Sequence, residues 1–306
     1  MKTSILKNLS LLFVLSLAIT SCMKNSTVAP TTATEERRQA PQLFSVMDYD
    51  LVSETGKLAV AFYESQRFYT MDVSSKNFET VITMISESKE QHVPIRVSLS
   101  GTHIDGVTAA SAADLKQYRS RFEDETDLLE NNYKKVIPSM DVLNDIFQFC
   151  ADQNCEDGNA VIDYCIPFQY KIDGCYARAH KMRQILADYY GYECGKIFSE
   201  SGLVHPLAVN AGDCCVFWGW HEAPVVTVNT SEGVQTMVID PSLFTSPVDV
   251  DTWLSVQSDT TCDKHAKLKS YQITPGSWYF SDGSKDPRYI FTNSTLELYR
   301  DLQTCD

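Results

Sequence analysis

The segment "DGCYARAHKMRQIL", Asp173 to Leu186, contains the pattern that decides the fold. Its Asp-Gly pair is typical of a turn, and no Pro or Gly occurs from Cys175 to Tyr190, so we predict a helix that begins at Cys175. Spacings of three and four residues define its predicted buried face: Cys175, Ala179, Met182, Leu186 and Tyr189. The free N–H groups and positive dipole end of a helix N-terminus favour a thiolate. Cys175 is therefore a candidate nucleophile, although a small apolar core residue or half of a disulfide would fit the same pattern.

Two downstream runs supply a candidate base and acid. "CCVFWGWHEAPVVTV" (214–228) and "NTSEGVQTMVIDPSL" (229–243) are rich in β-branched and aromatic residues on either side of a turn-rich segment, which predicts a β-hairpin. With the turn centred near residue 230 or 231, His221 and Asp240 face each other about 5 Å apart. An ordinary strand histidine and a strand-ending aspartate before Pro241 are the alternatives. Together with Cys175, the two residues form a candidate nucleophile, base and orienting acid.

Composition and the N-terminus restrict where the protein acts. The chain has 306 residues with 26 basic and 40 acidic side chains, a formal charge of -14, which argues against nucleic acid or an anionic membrane surface as partner. Residues 1–22 combine a positive start, an apolar stretch from Leu11 to Ile19 and a final "ITSC", so we predict an export signal with a lipobox and lipid attachment at Cys22. Ordinary cleavage near Ser21 is the alternative. The lipid is the only membrane contact that we expect.

Export changes how the ten cysteines are interpreted, because oxidising compartments favour disulfides. If Cys22 carries lipid, nine remain, and an odd number leaves at least one free thiol. Setting Cys175 aside leaves eight, which we expect to pair with one another. Cys214 and Cys215 do not form a zinc-binding spacing with His221, and we expect neither a metal nor any other cofactor.

The cysteine distribution also suggests domain boundaries. Residues 23–42 are rich in Ser, Thr, Ala and Pro and predict a flexible tether. In the cysteine-free unit at 43–135, we predict strands within 57–72 and 93–101, a helix at 77–90, another helix that begins at Ser111, and an acidic connector. A second unit, residues 136–306, carries the candidate site. The first unit is either a removable segment or a permanent partner domain.

Four segments of the second unit resemble the secreted bacterial protein-glutaminases, enzymes that deamidate glutamine side chains within proteins: "DGCYARAHKMRQIL", "GYEC", "CCVFWGWHEAPVVTV" and "VIDPSLFTSPV". The resemblance extends over 136–248 and fades towards the C-terminus, while "GKLAVAFYESQRFYTMD" and "VPIRVSLSG" are similar to that family's propeptide. It implies an α+β, papain-like and transglutaminase-like core, disulfide-rich, with Cys175 as nucleophile, His221 as base and Asp240 as its partner. It also implies that 43–135 is an inhibitory prodomain.

The expected function is therefore deamidation of glutamines in proteins and peptides by a monomeric proenzyme that an activating protease releases from its own prodomain. The triad alone does not distinguish water from a lysine amine as the second reactant, so a transglutaminase or a cysteine protease stays open. A non-catalytic, disulfide-rich binding lipoprotein is the third alternative.

Overall fold

Residues 41–122 and 134–305 are described by the structure, which is a computed structural model. They form two large sheets, and each sheet packs against helices from its own part of the sequence. This mixed content agrees with the predicted α+β class. Among the described residues, no helix is both long enough and apolar enough to cross a membrane.

The first sheet is built from the N-terminal part of the described chain. Its six strands are β1 (Gln42–Phe44), β2 (Val46–Val52), β3 (Lys57–Phe62), β4 (Ser65–Asp72), β5 (Ile95–Ser100) and β6 (His103–Ala109). They lie in the order β1-β5-β6-β4-β3-β2, and only β4 and β6 run parallel. Alternate residues of β5, Ile95, Val97 and Leu99, are buried, so one face of the sheet forms a core.

Two helices accompany this sheet. Helix α1 (Phe78–Gln91) connects β4 to β5 and buries Val81 and Ile85 against the sheet. Helix α2 (Ala112–Arg119) begins with a reciprocal capping box between Ser111 and Asp114, which confirms the predicted helix start. The strands predicted within 57–72 and 93–101 and the helix predicted at 77–90 are confirmed as well, whereas β1, β2 and β6 were not predicted.

The second sheet carries the candidate site. Its strands are β7 (Val136–Ile137), β8 (Gly195–Ser201), β11 (Trp220–Thr230), β12 (Gly233–Val238), β13 (Val248–Asp249) and β14 (Leu268–Pro275). The order is β13-β12-β11-β8-β14, with β7 parallel to the far half of β11. Beside this sheet, β9 (Leu207–Asn210) and β10 (Cys215–Trp218) form a separate antiparallel pair.

Helix α4 is the central helix of the second part. The helices there are α3 (Met140–Ala151), α4 (Cys175–Ile185), α5 (Val250–Ser255) and α6 (Ile290–Tyr299). All residues of α4 except Gln184 are buried, so the predicted single apolar face is wrong: the helix is enclosed on all sides. A π-helical turn, Leu186–Tyr190, follows it and changes the residue phase, which leaves Tyr189 55% exposed.

Among the residues in 41–122 and 134–305, six cysteines form three disulfides: Cys155–Cys165, Cys214–Cys305 and Cys215–Cys262. The expectation that eight cysteines pair is wrong, because Cys150 and Cys194 are free thiols in addition to Cys175. Both are buried in the core of the second part, where burial raises the pKa of the Cys194 thiol to about 11. These two cysteines serve as small apolar core residues, a use that a count of cysteines cannot detect.

A buried ion pair links the two central strands. Lys196 of β8 and Glu222 of β11 lie 2.9 Å apart, and both side chains are fully buried. Burial raises the pKa of Glu222 to about 7, against the attraction of the Lys196 ammonium. The carboxyl is therefore held in the core mainly by its neighbouring cation.

We expect Lys196→Met to lower the free energy of unfolding by about 3–5 kcal/mol, because it leaves a buried carboxyl without its cation. The double variant Lys196→Met/Glu222→Leu should lose much less, since neither charge is then buried. Urea unfolding of the wild type, both single variants and the double variant measures this. A double variant as unstable as the sum of the single variants would contradict the role assigned to the pair.

Candidate active site

Cys175 is the first residue of α4, as predicted. The preceding Gly174 has a positive φ of 82°, and a Cβ there would lie 2.6 Å from the ring of Tyr299. Glycine is therefore required both by the backbone and by the space available. The Asp-Gly pair turns the chain so that Cys175 begins the helix, with its backbone N–H free of the intrahelical hydrogen bonds.

Cys175 is 1% exposed. The next residue, Tyr176, packs against Trp220 with ring centroids 5.9 Å apart, so Cys175 lies beside the strand that carries His221. Burial, and next the charge of Glu222, raise the pKa of the thiol well above its ordinary value. The predicted thiolate is thus disfavoured in this closed state, because loss of water outweighs the helix N-terminus.

His221 and Asp240 are brought together as predicted, with His221 Nε2 2.9 Å from Asp240 Oδ2. The predicted hairpin is confirmed, but its register differs. Strand β11 pairs with β12 from Val225↔Val238 to Thr230↔Gly233, so the turn is centred between Ser231 and Glu232. His221 itself pairs with Ser199 of β8, and Asp240 follows the end of β12. The observed register differs from the predicted one by two residues, and a shift of two keeps each side chain on the same face of the sheet. The approximate register therefore still placed His221 and Asp240 on one face.

Four hydrogen bonds hold the carboxylate of Asp240. Its Oδ2 accepts from His221 and, at 2.9 Å, from the indole N–H of Trp253. Its Oδ1 accepts from the backbone N–H of Ser242 at 3.2 Å and from the Ser242 hydroxyl. Burial raises the pKa of Asp240, but these hydrogen bonds outweigh it and bring the pKa below its ordinary value. The acid is therefore ionised and fixed in orientation.

The imidazole of His221 lies between two indole rings. Trp218 stacks on it with ring centroids 4.3 Å apart, and Trp253 lies 5.4 Å away at an interplanar angle of 20°. Burial lowers the pKa of His221, and the hydrogen bond to Asp240 only partly opposes this. With Nε2 donating to Asp240, the buried Nδ1 is the nitrogen left to accept a proton, and it has no partner among the described residues.

A glutamine from the first sheet contacts Cys175. Gln66, the second residue of β4, is fully buried. Its side-chain oxygen Oε1 accepts a hydrogen bond from the backbone N–H of Cys175 at 3.2 Å, and its Nε2 donates to the carbonyl of Lys171 at 2.9 Å. Its backbone N–H donates to Asp173, and its carbonyl accepts from the N–H of Gly219 at 2.7 Å. The second part of the chain thus fixes both the backbone and the side chain of Gln66.

The residues around Gln66 strengthen the same contact. The hydroxyl of Ser65 donates to Asp173 at 2.5 Å, and the indole N–H of Trp220 donates to the carbonyls of Phe62 and Ser65, each at 3.1 Å. Burial raises the pKa of Asp173, against the hydrogen bonds that it accepts. The first sheet is therefore attached by directed polar contacts beside Cys175.

Sequence reasoning missed several residues of this site: Gln66, Asp173, Trp218, Ser242 and Trp253. Asp173, Trp218 and Ser242 lie within the quoted segments, and their closeness in sequence to Cys175, His221 and Asp240 was the local signal available. Cys22, the predicted lipid site, lies outside the described residues. No group of three or more potential metal ligands occurs in 41–122 or 134–305.

A cysteine at a helix N-terminus, beside a strand that carries a histidine bound to a carboxylate, is the arrangement that thiol-dependent acyl-transfer enzymes require. Comparisons with known proteins agree with this class. A family model described as a glutaminase matches residues 143–257. A comparison with curated protein sequences finds no significant match.

Solved structures define the family more closely. A mutant of pro-protein-glutaminase is 32% identical, with a TM-score of 0.77 over 88% of this chain and 96% of that chain. Pro-protein-glutaminase itself is 31% identical, with the same TM-score over 88% and 95%. The protein-glutaminase of Chryseobacterium proteolyticum is 38% identical, with a TM-score of 0.51 over 56% of this chain and 92% of that chain. This chain belongs to the protein-glutaminase family.

Proposed function

We propose that this protein deamidates glutamine side chains in proteins and peptides, releases ammonia and leaves glutamate. The observation that carries the proposal is the carboxamide of Gln66, whose oxygen accepts the N–H of the proposed nucleophile, Cys175. A side-chain amide thus has a place at the reacting cysteine. The similarity to protein-glutaminases over most of the chain supports water as the second reactant.

In the first half of the reaction, Nδ1 of His221 takes the proton of Cys175, and the thiolate attacks the carboxamide carbon. The backbone N–H of Cys175, which already faces an amide oxygen, stabilises the negative charge that develops there. The carbon–nitrogen bond then breaks, and the protonated imidazole gives its proton to the departing ammonia. Asp240 keeps the second ring nitrogen protonated throughout.

In the second half, water attacks the thioester while His221 takes its proton. The carbon–sulfur bond breaks, the thiol regains a proton from the imidazole, and the side chain leaves as glutamate. The two indoles beside His221 exclude other water from the ring and hold it in one plane. No step requires a metal or an organic cofactor.

Residues 43–135 act in this proposal as an inhibitory prodomain, and 136–306 as the catalytic domain. The support is steric: Ser65 and Gln66 lie at the nucleophile, where a substrate glutamine would enter. The solved pro-forms match 88% of this chain and the mature enzyme 56%, so the additional match involves a segment that the pro-forms contain. An activating protease would cut the acidic connector, most of which lies outside the described residues.

Residues 1–22 act as an export signal in this proposal, and Cys22 carries a lipid, so the protein is a periplasmic or outer-membrane lipoprotein or is secreted after processing. Three disulfides support an oxidising compartment. Mass measurement of the N-terminal peptide from the native host tests this: a diacylated cysteine at position 22 agrees with the proposal, and an unmodified residue after cleavage near Ser21 contradicts lipid attachment.

Casein provides the test of activity. The activated protein should release ammonia and increase the mass of casein by about 1 Da per converted glutamine, the exchange of an amide for an acid that a thioester route predicts. Cys175→Ala should abolish both signals. New peptide ends would instead identify a protease, and isopeptide cross-links a transglutaminase. Absence of any change would leave a binding protein.

A further inference from the structure

We propose that Gln66 is itself a substrate: before activation, Cys175 deamidates this prodomain glutamine once within the same chain. This inference rests on the proposed function and extends it to regulation. If the prodomain only blocked the site, any side chain of suitable size at position 66 would be enough. Gln66 instead presents the reactive group of the substrate, fully buried, with its carbonyl oxygen on the N–H of the nucleophile.

The contacts of Gln66 are those that a substrate needs. Its Oε1 meets the donor that would stabilise the tetrahedral intermediate, while its Nε2, the leaving nitrogen, is held by the carbonyl of Lys171. Asp173 and Gly219 fix the backbone on both sides of the side chain. The thiol of Cys175 and the carboxamide of Gln66 belong to one folded chain, so the reaction needs no diffusional encounter between enzyme and substrate. This intramolecular placement compensates for the low thiolate fraction in the closed site.

Self-deamidation of Gln66 proceeds through a thioester. The Sγ–Cδ bond forms, the Cδ–Nε2 bond breaks, and ammonia leaves with the proton that His221 took from Cys175. The resulting thioester links residue 66 to residue 175. Water then adds to Cδ, the Sγ–Cδ bond breaks, the thiol recovers one proton through His221, and the side chain at position 66 is a carboxylic acid.

The product fits the closed site less well than the amide does. Nε2 of Gln66 donates to the carbonyl of Lys171, whereas an ionised carboxylate places an acceptor against that acceptor. The new charge is also buried, in a residue whose backbone N–H donates to the carboxyl of Asp173, and burial already raises the pKa of that carboxyl. A buried, unpaired charge is costly. Self-deamidation therefore weakens the hold of the prodomain and prepares the protein for activation.

Tryptic peptides allow a sharp test on the full-length proenzyme. Peptide 58–67, "LAVAFYESQR", contains Gln66 as its one glutamine and no asparagine. We expect it to gain about 1 Da in the wild type during incubation, or to appear joined to the Cys175 peptide with a loss of about 17 Da, the mass of ammonia that thioester formation releases. In water enriched in ¹⁸O, hydrolysis should add one heavy oxygen at position 66.

Two controls separate this reaction from spontaneous change. Cys175→Ala should keep the amide at position 66 under the same conditions. Peptide 90–96, "EQHVPIR", contains the exposed Gln91 and no other amide side chain, and it should stay unchanged in both proteins. An unmodified residue 66 in the wild type, with casein still deamidated after activation, would overturn the inference but not the proposed function. Failure on casein as well would overturn both.

The rate at which the cut prodomain dissociates tests whether deamidation of Gln66 weakens its binding. In the inactive Cys175→Ala background, the connector is cut once, and dissociation is followed by gel filtration after dilution. Gln66→Glu should dissociate at least tenfold faster than the chain with Gln66, whereas Gln66→Met, which keeps the length without a charge, should fall between them. Equal dissociation of the Gln66 and Gln66→Glu chains would show that deamidation does not weaken the closed state.

Discussion

Ammonia release from casein should rise at least about 100-fold when the chain is cut between Arg119 and Val136 and the prodomain leaves. A site that opens one time in a hundred retains about 1% of its activity, and the contacts at Gln66 argue for a closed state at least this dominant. The comparison is between the uncut chain from Ser26 to Asp306, the cut chain, and residues 136–306 expressed alone.

Cysteine alkylation measures the same opening without a substrate. In the closed form, burial keeps the pKa of Cys175 high and that of His221 low, so the pair is a neutral thiol and a neutral imidazole. Removal of the prodomain lets water reach both groups and favours the thiolate at the helix N-terminus. Brief iodoacetamide treatment should then label Cys175 rapidly, whereas Cys150 and Cys194 stay buried and serve as controls within the same molecule.

Adding the isolated prodomain back separates inhibition from a purely structural role. If it suppresses the activity of residues 136–306, the segment is an inhibitor. Equal activity of the cut and uncut chains, with no effect of added prodomain, would contradict the inhibitory role. Strong labelling of Cys194 with Cys175 unmodified would contradict the assignment of the nucleophile.

The position of Cys175 at the start of a helix could be predicted because its signals are local. An Asp-Gly turn and a long run without Pro or Gly place Cys175 at a helix start whatever surrounds it. The hairpin could be predicted for the same reason, since β-branched runs flank a turn-rich segment. Its register could not, because the turn position depends on which two residues take the tight turn, here Ser231 and Glu232.

Residues that depend on long-range packing could not be predicted. Gln66 meets Cys175 across more than a hundred residues, and within its own strand it resembles any polar residue. Trp253 belongs to a helix that the sequence reading did not predict, and it reaches Asp240 only because α5 packs near the end of β12. The cysteine count failed for a related reason: burial, which it cannot measure, keeps Cys150 and Cys194 reduced.

His221→Ala should abolish turnover, because no other group in the described part of the site is placed to take the thiol proton. Cys175 should stay alkylatable after activation, though more slowly. The protein should stay folded, although the lost stacking on Trp218 and the lost hydrogen bond to Asp240 lower the free energy of unfolding. Ammonia release from casein, iodoacetamide labelling and urea unfolding give the three measurements. Turnover within a factor of about two of the wild type would remove His221 from the mechanism.

Asp240→Asn should lower kcat by about 10²-fold to 10⁴-fold with little change in KM, by analogy with other triads in which the acid selects the tautomer. If the new amide turns its oxygen towards His221, its NH₂ group meets the two donors of Ser242. If it turns its NH₂ group towards His221, that group faces the ring Nε2 and the indole N–H of Trp253, so Nε2 must accept a hydrogen bond instead of donating one. The ring proton then moves to Nδ1, the nitrogen that has to receive the proton of Cys175.

Ser242→Ala is the matched control for this substitution. It removes one hydrogen bond from Oδ1 of Asp240 but leaves Oδ2 bound to His221 and Trp253. The tautomer is therefore kept, and kcat should fall less than about tenfold, or about 1.4 kcal/mol of activation free energy. If Asp240→Asn and Ser242→Ala lost activity equally, the carboxylate would act by holding the loop in place. A large loss in Asp240→Asn alone, with both proteins equally stable, means that the charge and orientation of Asp240 set the protonation state of His221.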